Sequence, residues 1–264
     1  MKHIRTIIDK EWAEVFKNKM VIGMMSLLPL LFTILPLVML QVSSTQSMEG
    51  FDASSAGVPA SLLASCVGMN AGECMQVYLV NQFLLLFLMM PLMIPVTIAA
   101  YSIVGEKTTR SLEPLLATPI TTSELLSGKA LAAAIPAVLI TYASFGLFIL
   151  GLFILKIAPL VRAYIISPTW LLAILILGPI FSIISVMTAI FVSSRINDPR
   201  VAEQISGVVI MPIMVVLLLQ LAGVLVINLS FMLSAIVSCL LIAIGMVYLG
   251  TLFFQRETIL TRWK

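Results

Sequence analysis

An all-α membrane protein with six transmembrane helices is the fold class that the sequence predicts. Hydrophobic residues make up 61% of the 264 residues and charged residues only 10%, whereas soluble domains contain about 45–50% and about 25%. A chain of this length cannot hide so large an apolar excess inside a water-soluble globule. Six uncharged runs, each near or above the roughly 20 residues needed to cross a bilayer, contain the excess. The runs cover residues 20–41, 78–104, 130–155, 168–194, 204–227 and 231–254.

The residues before the first run predict an amphipathic helix. Its apolar face carries Ile4, Ile7, Ile8, Trp12, Val15 and Phe16. Such a helix directly before a span is typical of an interfacial helix that lies in the membrane plane and contacts lipid. The alternative is a helix that packs on protein. The chain therefore divides into an amphipathic interfacial helix at residues 1–19 and a six-span domain at residues 20–264.

Prolines interrupt most of the apolar runs. They are Pro29, Pro36, Pro91, Pro95, Pro136, Pro179 and Pro212. Each proline lacks the N–H that would bond the carbonyl four residues earlier. Because water is absent from the bilayer core, we expect neighbouring helices or cavities to satisfy these carbonyls.

The placement of Lys and Arg predicts the orientation. With the N-terminus inside, the cytoplasmic side holds thirteen of these residues, and only Lys156 and Arg162 fall on the other side. The positive-inside rule then places both termini in the cytoplasm of a plasma-membrane protein. The polar segments at residues 105–129 and 195–203 lie on the same side. We interpret the second one as a polar turn, and contact with a partner is the alternative.

The first external loop, residues 42–77, contains Cys66 and Cys74 but no Lys or Arg. Disulfides persist on the oxidising side of a membrane, so a bridge between these two cysteines is a reasonable hypothesis. Two free thiols are the alternative.

The segment at residues 105–129 separates the second and third runs and has a helical pattern of its own. Leu112, Leu115 and Leu116 repeat at helical spacing, and Ser111 is a possible N-cap. Charged side chains flank this stripe: Glu106, Lys107, Arg110 and Glu113. A short amphipathic helix at a membrane exit is suited to docking a partner, and the alternative is a solvated loop that only fixes topology.

This segment resembles the corresponding loop of ABC-2 type transporter permeases, the membrane subunits of bacterial and archaeal ABC exporters. The matching positions are Glu106, Lys107, Ser111, Leu112, Glu113, Leu115, Leu116, Thr118, Pro119, Glu124, Gly128 and Lys129. Arg110 departs from the pattern, because a glycine is common there. The resemblance implies a cytoplasmic coupling helix between spans 2 and 3 that binds a separate ATP-binding subunit. The implied partner-binding residues are Glu106, Lys107, Arg110, Ser111, Leu112, Glu113, Leu115 and Leu116.

The resemblance also implies two permease copies, each engaged by one ATP-binding subunit that holds ATP and Mg. The chain itself is then not an enzyme and binds no cofactor. Its only histidine is His3, and no phosphate-binding GxxxxGK[ST] loop occurs. No catalytic residue, metal site or nucleic-acid surface is therefore expected, although the sixteen methionines leave a copper(I) path as a minor alternative to packing.

The absence of ionisable residues from the six runs disfavours a carrier driven by an ion gradient. Energy then has to enter at a cytoplasmic surface. The predicted function is a permease subunit of an ATP-driven exporter for a hydrophobic or amphipathic substrate. Two alternatives remain, a polytopic membrane enzyme or assembly factor and a passive channel, both working without ATP.

Overall fold

The computed structural model describes residues 2–17, 19–45, 68–108 and 122–253, and every regular element within them is helical. The helices are α1 (Lys2–Val15), α2 (Lys19–Thr45), α3 (Ala71–Phe87), α4 (Met90–Thr108), α5 (Thr122–Ile154), α6 (Pro159–Ile165), α7 (Pro168–Leu172), α8 (Gly178–Ser193), α9 (Pro199–Ser206), α10 (Met211–Leu221) and α11 (Leu229–Phe253). A π-helical turn, Ala173–Leu177, joins α7 to α8. A 3-10 turn, Gly207–Ile210, joins α9 to α10.

Within the described residues, six helical stretches are long and apolar enough to cross a membrane, which confirms the predicted fold class. Spans 1 to 6 are Val21–Ser43, Ala71–Gly105, Glu124–Ile154, Pro159–Ser193, Pro199–Leu221 and Leu229–Thr251. Span 2 contains α3 and α4, span 4 contains α6 to α8, and span 5 contains α9 and α10.

The helices extend past the uncharged runs, because a helix satisfies its own backbone hydrogen bonds whether or not lipid surrounds it. Spans 2 and 4 begin at Ala71 and Pro159, well before the predicted residues 78 and 168. The spans therefore carry ionisable residues near their ends: Glu73, Glu124, Lys129, Arg162, Arg200 and Glu203. We predicted six spans without an ionisable residue, and this prediction is wrong for the longer helical spans that the structure shows.

The connection between spans 5 and 6 is longer than predicted. Helix α10 ends at Leu221, where the prediction extends the apolar run to residue 227. Gly223 has a positive φ of 72°, and the N–H groups of Val224 and Leu225 bond the Leu219 carbonyl at 3.0 and 3.2 Å. This is the type of left-handed turn that ends helices at glycine. The connection is therefore residues 222–228 rather than 228–230.

Spans 2 and 4 form the centre of the bundle. In the most apolar window of span 2, 83% of the residues are buried, against 11% in span 6. Helix α4 packs against α5, α8 and α9, and α8 packs against α11. Phe87 of α3 is fully buried beside Phe145 and Phe148 of α5, with ring centroids 6.0 and 5.3 Å away. The outer spans expose apolar side chains, as helices that contact lipid do.

At one proline, a side chain of a neighbouring helix, Tyr142, bonds the carbonyl four residues earlier. Its hydroxyl donates a 2.7 Å hydrogen bond to the Leu175 carbonyl across the α5–span 4 contact. Pro179, four residues after Leu175, has no N–H to offer that carbonyl. The π-helical turn lies at the same place, so span 4 changes its helical geometry directly before the proline.

Candidate functional site

Helix α1 lies against the beginning of α5, and Trp12 makes one of the bonds that hold it there. The Trp12 indole N–H donates to the Ala132 carbonyl at 3.0 Å. Pro136 follows Ala132 by four residues and cannot donate to this carbonyl. Trp12 therefore supplies, from another helix, the donor that the proline lacks.

Gly128 allows the two helices to approach closely. A Cβ atom at Gly128 would lie 2.9 Å from Cγ2 and 3.1 Å from Cβ of Ile7, closer than ordinary van der Waals contact. Ile7 is buried in this contact. Any other residue at position 128 would require a shift of the Ile7 side chain or of α1.

A buried ion pair joins α1 to α5, and a hydrogen bond from the same ammonium adds α4. Lys129 Nζ lies 2.7 Å from Glu11 Oε1, and the two side chains are only 8% and 3% exposed. The same ammonium donates to Ser102 Oγ of α4, also at 2.7 Å. We call Glu11, Ser102 and Lys129 the polar junction. Removal of one partner from such a pair leaves an uncompensated buried charge, which costs about 3–5 kcal/mol.

The polar junction lies at the end of the bundle where the chain leaves α4 and enters α5. Ser102 is close to the C-terminus of α4, which ends at Thr108, and Lys129 is close to the N-terminus of α5, which begins at Thr122. The junction therefore connects both helices that flank residues 109–121.

A cavity of about 350 Å³ opens between spans 1, 2 and 5 near the same end. Its wall is mostly apolar and includes Met25, Leu28, Met93, Ile94 and Ile210. Two polar side chains, Thr97 and Glu203, complete it, and the Thr97 hydroxyl donates to Glu203 Oε1 at 2.6 Å. We call this the Glu203 cavity.

Local sequence places Glu203 in the first turns of α9. The Asp198 carboxylate accepts hydrogen bonds from the N–H groups of Arg200 and Val201 at 2.8 and 3.4 Å, so it caps the helix. Pro199 occupies the first helical position, where its missing N–H is harmless. Ala202 is fully buried against the last turns of α4, and the adjacent Glu203 reaches Thr97. We interpreted residues 195–203 as a polar turn, and this interpretation is wrong for residues 199–203, which belong to α9.

The sequence matches the family described as ABC-2 family transporter protein over residues 5–235. The chain belongs to the ABC-2 transporter family. It is an ABC-2 type permease, a multi-pass membrane protein that serves as a component of a transporter. The matched region contains the polar junction and the Glu203 cavity. A comparison with curated protein sequences gave no match.

The structure places only part of the predicted partner-binding segment of this permease. Glu106 and Lys107 belong to the last turn and a half of α4, and their side chains lie outside the described part of the chain. Six predicted partner-binding residues also lie outside it: Arg110, Ser111, Leu112, Glu113, Leu115 and Leu116. Partner binding at this segment stays a prediction.

The predicted apolar face of α1 is partly covered by the bundle. Ile7 and Val15 are buried, Ile4, Ile8 and Trp12 are half-buried, and Phe16 is 57% exposed just beyond the helix. The helix ends at Val15. Contact of α1 with lipid stays a prediction. The structure adds that one side of α1 packs on α5.

Of the two cysteines in the predicted disulfide, the structure describes only Cys74. Cys74 is buried in the first turn of α3 and is disulfide-bonded. Cys66 lies outside the described residues, so the pairing stays a prediction. Within the described ranges, no cluster of three or more His, Cys, Asp and Glu residues is arranged to hold a metal ion.

Proposed function

We propose that this ABC-2 permease is the membrane subunit of an ATP-driven exporter and couples hydrolysis on a separate ATP-binding subunit to substrate movement. The observation that carries the proposal is the polar junction. It joins the end of α4, the beginning of α5 and helix α1 through one buried ammonium. A displacement of residues 109–121 would thereby reach spans 2 and 3 together.

Docking is the first step of the proposed cycle. The ATP-binding subunit holds ATP and Mg and contacts the leucine stripe at Leu112, Leu115 and Leu116. The positive-inside distribution supports a cytoplasmic location for this stripe and for both termini. Two permease copies in the plasma membrane, surrounded by lipid, form the pathway, and each copy contacts one ATP-binding subunit.

Transmission is the second step. Closure of the ATP-binding subunits displaces the docked segment, and α4 and α5 follow as one unit because the Lys129 ammonium of α5 donates a hydrogen bond to Ser102 of α4. Helix α1 moves with them, since Trp12 and Glu11 both bond α5. Spans 2 and 3 then tilt and switch access to the pathway from the inside to the outside.

Docking is tested by introducing a charge into the leucine stripe. We expect Leu112→Asp and Leu115→Asp to abolish co-purification of the ATP-binding subunit, because an apolar contact cannot accommodate an unpaired carboxylate. Leu160→Asp is the matched control. Leu160 is exposed, and it lies in the connection predicted for the opposite side of the membrane. Unchanged recovery and unchanged stimulated ATPase activity in both stripe variants would refute docking at this segment.

Transmission is tested separately from docking. The variant Lys129→Met breaks the polar junction without touching the leucine stripe. We expect it to retain the ATP-binding subunit on co-purification but to lose stimulation of its ATPase activity. Full stimulation in this variant would show that the polar junction does not transmit the movement.

A further inference from the structure

Glu203 has an incomplete set of partners. A carboxylate offers about four acceptor positions, and Thr97 fills one of them at 2.6 Å. No lysine or arginine of the described residues lies within ion-pair distance of Glu203. Glu203 is half-buried, and a carboxylate beside an apolar wall is more favourable when a cation or further donors complete its contacts. Among the described residues, no positive group therefore lies in front of Glu203.

The rest of the cavity fits an apolar body of modest size. Its volume of about 350 Å³ is at the lower end of the range for small-molecule sites, about 300–1,000 Å³. Met25 and Met93 line it, and methionine side chains adapt to ligands of different shape. Sites of this kind combine a mostly apolar wall with a few polar groups that orient the ligand.

We propose that the Glu203 cavity binds a small amphipathic organic cation. Its ammonium group lies against the Glu203 carboxylate, and its apolar body contacts the methionines and aliphatic side chains of spans 1, 2 and 5. As a statement about the substrate class of the exporter, this inference rests on the proposed function. An anionic ligand would be repelled by Glu203, and a neutral one would leave its carboxylate uncompensated.

Gly207 provides a way to fill the cavity without disturbing the helix. It lines the cavity, and a Cβ atom added there would meet nothing within 4 Å. Its φ of −59° is helical and suits any residue. A leucine at position 207 can therefore occupy ligand space, whereas Glu203→Gln removes the charge and keeps an acceptor for Thr97.

The test is equilibrium binding to the full-length permease in lipid nanodiscs without an ATP-binding subunit. The probes are 1-naphthylmethylammonium and its neutral counterpart 1-naphthylmethanol, detected by naphthalene fluorescence. We expect the wild type to prefer the ammonium by about tenfold or more, as for a charge-assisted hydrogen bond in a partly apolar site. Glu203→Gln should abolish this preference, and Glu203→Asp should retain it. Gly207→Leu should lower the affinity for both probes. Glu14→Gln removes an exposed carboxylate of α1 and is the control with no expected effect.

Equal binding of both probes by the wild type would overturn the proposal, as would an ammonium preference that survives Glu203→Gln. If Gly207→Leu lowers the affinity for both probes and Glu203→Gln has no effect, the cavity is a site for neutral lipid chains. This result would also overturn the proposal. Because the ATP-binding subunit is absent, failure here leaves the docking result untouched. A failure of docking likewise leaves the binding preference intact.

Discussion

The polar junction and the Glu203 cavity each place a carboxylate near apolar side chains, but the two carboxylates differ in their partners and in the free space beside them. At the junction, Glu11 meets an ammonium at 2.7 Å, and Gly128 next to that lysine leaves no free space against α1. In the cavity, Glu203 meets one hydroxyl group and faces about 350 Å³ of free volume. A buried carboxylate that is paired and closely packed holds helices together, whereas a half-buried carboxylate beside free volume, with no cation among the described residues, can accept a ligand. The four substitutions that follow test this contrast, beginning with the largest expected effect.

Lys129→Met should produce the largest loss of stability. It leaves the Glu11 carboxylate buried without its cation, which costs about 3–5 kcal/mol. The free energy of unfolding can be measured by SDS titration in mixed micelles. The double variant Glu11→Gln/Lys129→Met removes both charges and should recover a large part of the loss. A single variant as stable as the wild type would show that the ion pair is not buried in the membrane-embedded protein.

Trp12→Phe should cost less, about 1–3 kcal/mol, because it leaves one buried carbonyl without a donor. The Pro136→Ala background offers a sharper measurement. There the backbone N–H of residue 136 can bond the Ala132 carbonyl, so Trp12→Phe should become nearly neutral. Equal losses in both backgrounds would contradict the assignment of Trp12 as the donor that replaces the proline N–H.

Gly128→Ala should destabilise the protein by about 1 kcal/mol, since the new methyl group overlaps Ile7 and overpacking has this order of cost. The additional change Ile7→Ala should restore room for the methyl group, and a double-mutant cycle measures this coupling. Gly146→Ala is the matched control in the same helix, because a Cβ there meets nothing within 4 Å. Losses of the same size at both glycines would argue against a close approach of α1 at position 128.

Glu203→Gln should have the smallest effect on stability, within about 0.5 kcal/mol of the wild type. The amide oxygen still accepts from Thr97, and no ion pair is broken. The same unfolding titration that measures Lys129→Met provides the direct comparison. A loss as large as that of Lys129→Met would mean that Glu203 has a structural cation and is not free to bind a ligand.

Sequence patterns predict the spans because hydrophobic length is a strong signal, and all six are confirmed. They predict helix ends less well, because polar residues continue a helix as easily as they end it. The end of α10 depends on a single residue, Gly223, within an apolar run that extends to residue 227.

The two carboxylates show what sequence reasoning missed. Glu11 interrupts the helical line of Ile7 and Val15, and a carboxylate in such a line is a signal for a buried partner. Nothing local identifies Lys129 as that partner, because the two residues lie 118 positions apart. For Glu203 the signal is the Asp198–Pro199 pair, which is typical of a helix start and places Glu203 inside the helix.

The most direct test of the central claim is a disulfide between α1 and α5. The Cβ positions of Ile7→Cys and Gly128→Cys would lie 3.1 Å apart, close to the disulfide range of about 3.5–4.5 Å. In a Cys239→Ser background, the oxidised and reduced permease are compared for stimulated ATPase activity with the ATP-binding subunit. Equal activity in both states is predicted, because α1 and α5 move as one unit. The proposal is contradicted if oxidation abolishes the stimulation of ATPase activity and reduction restores it, while the Cys239→Ser parent shows no such change.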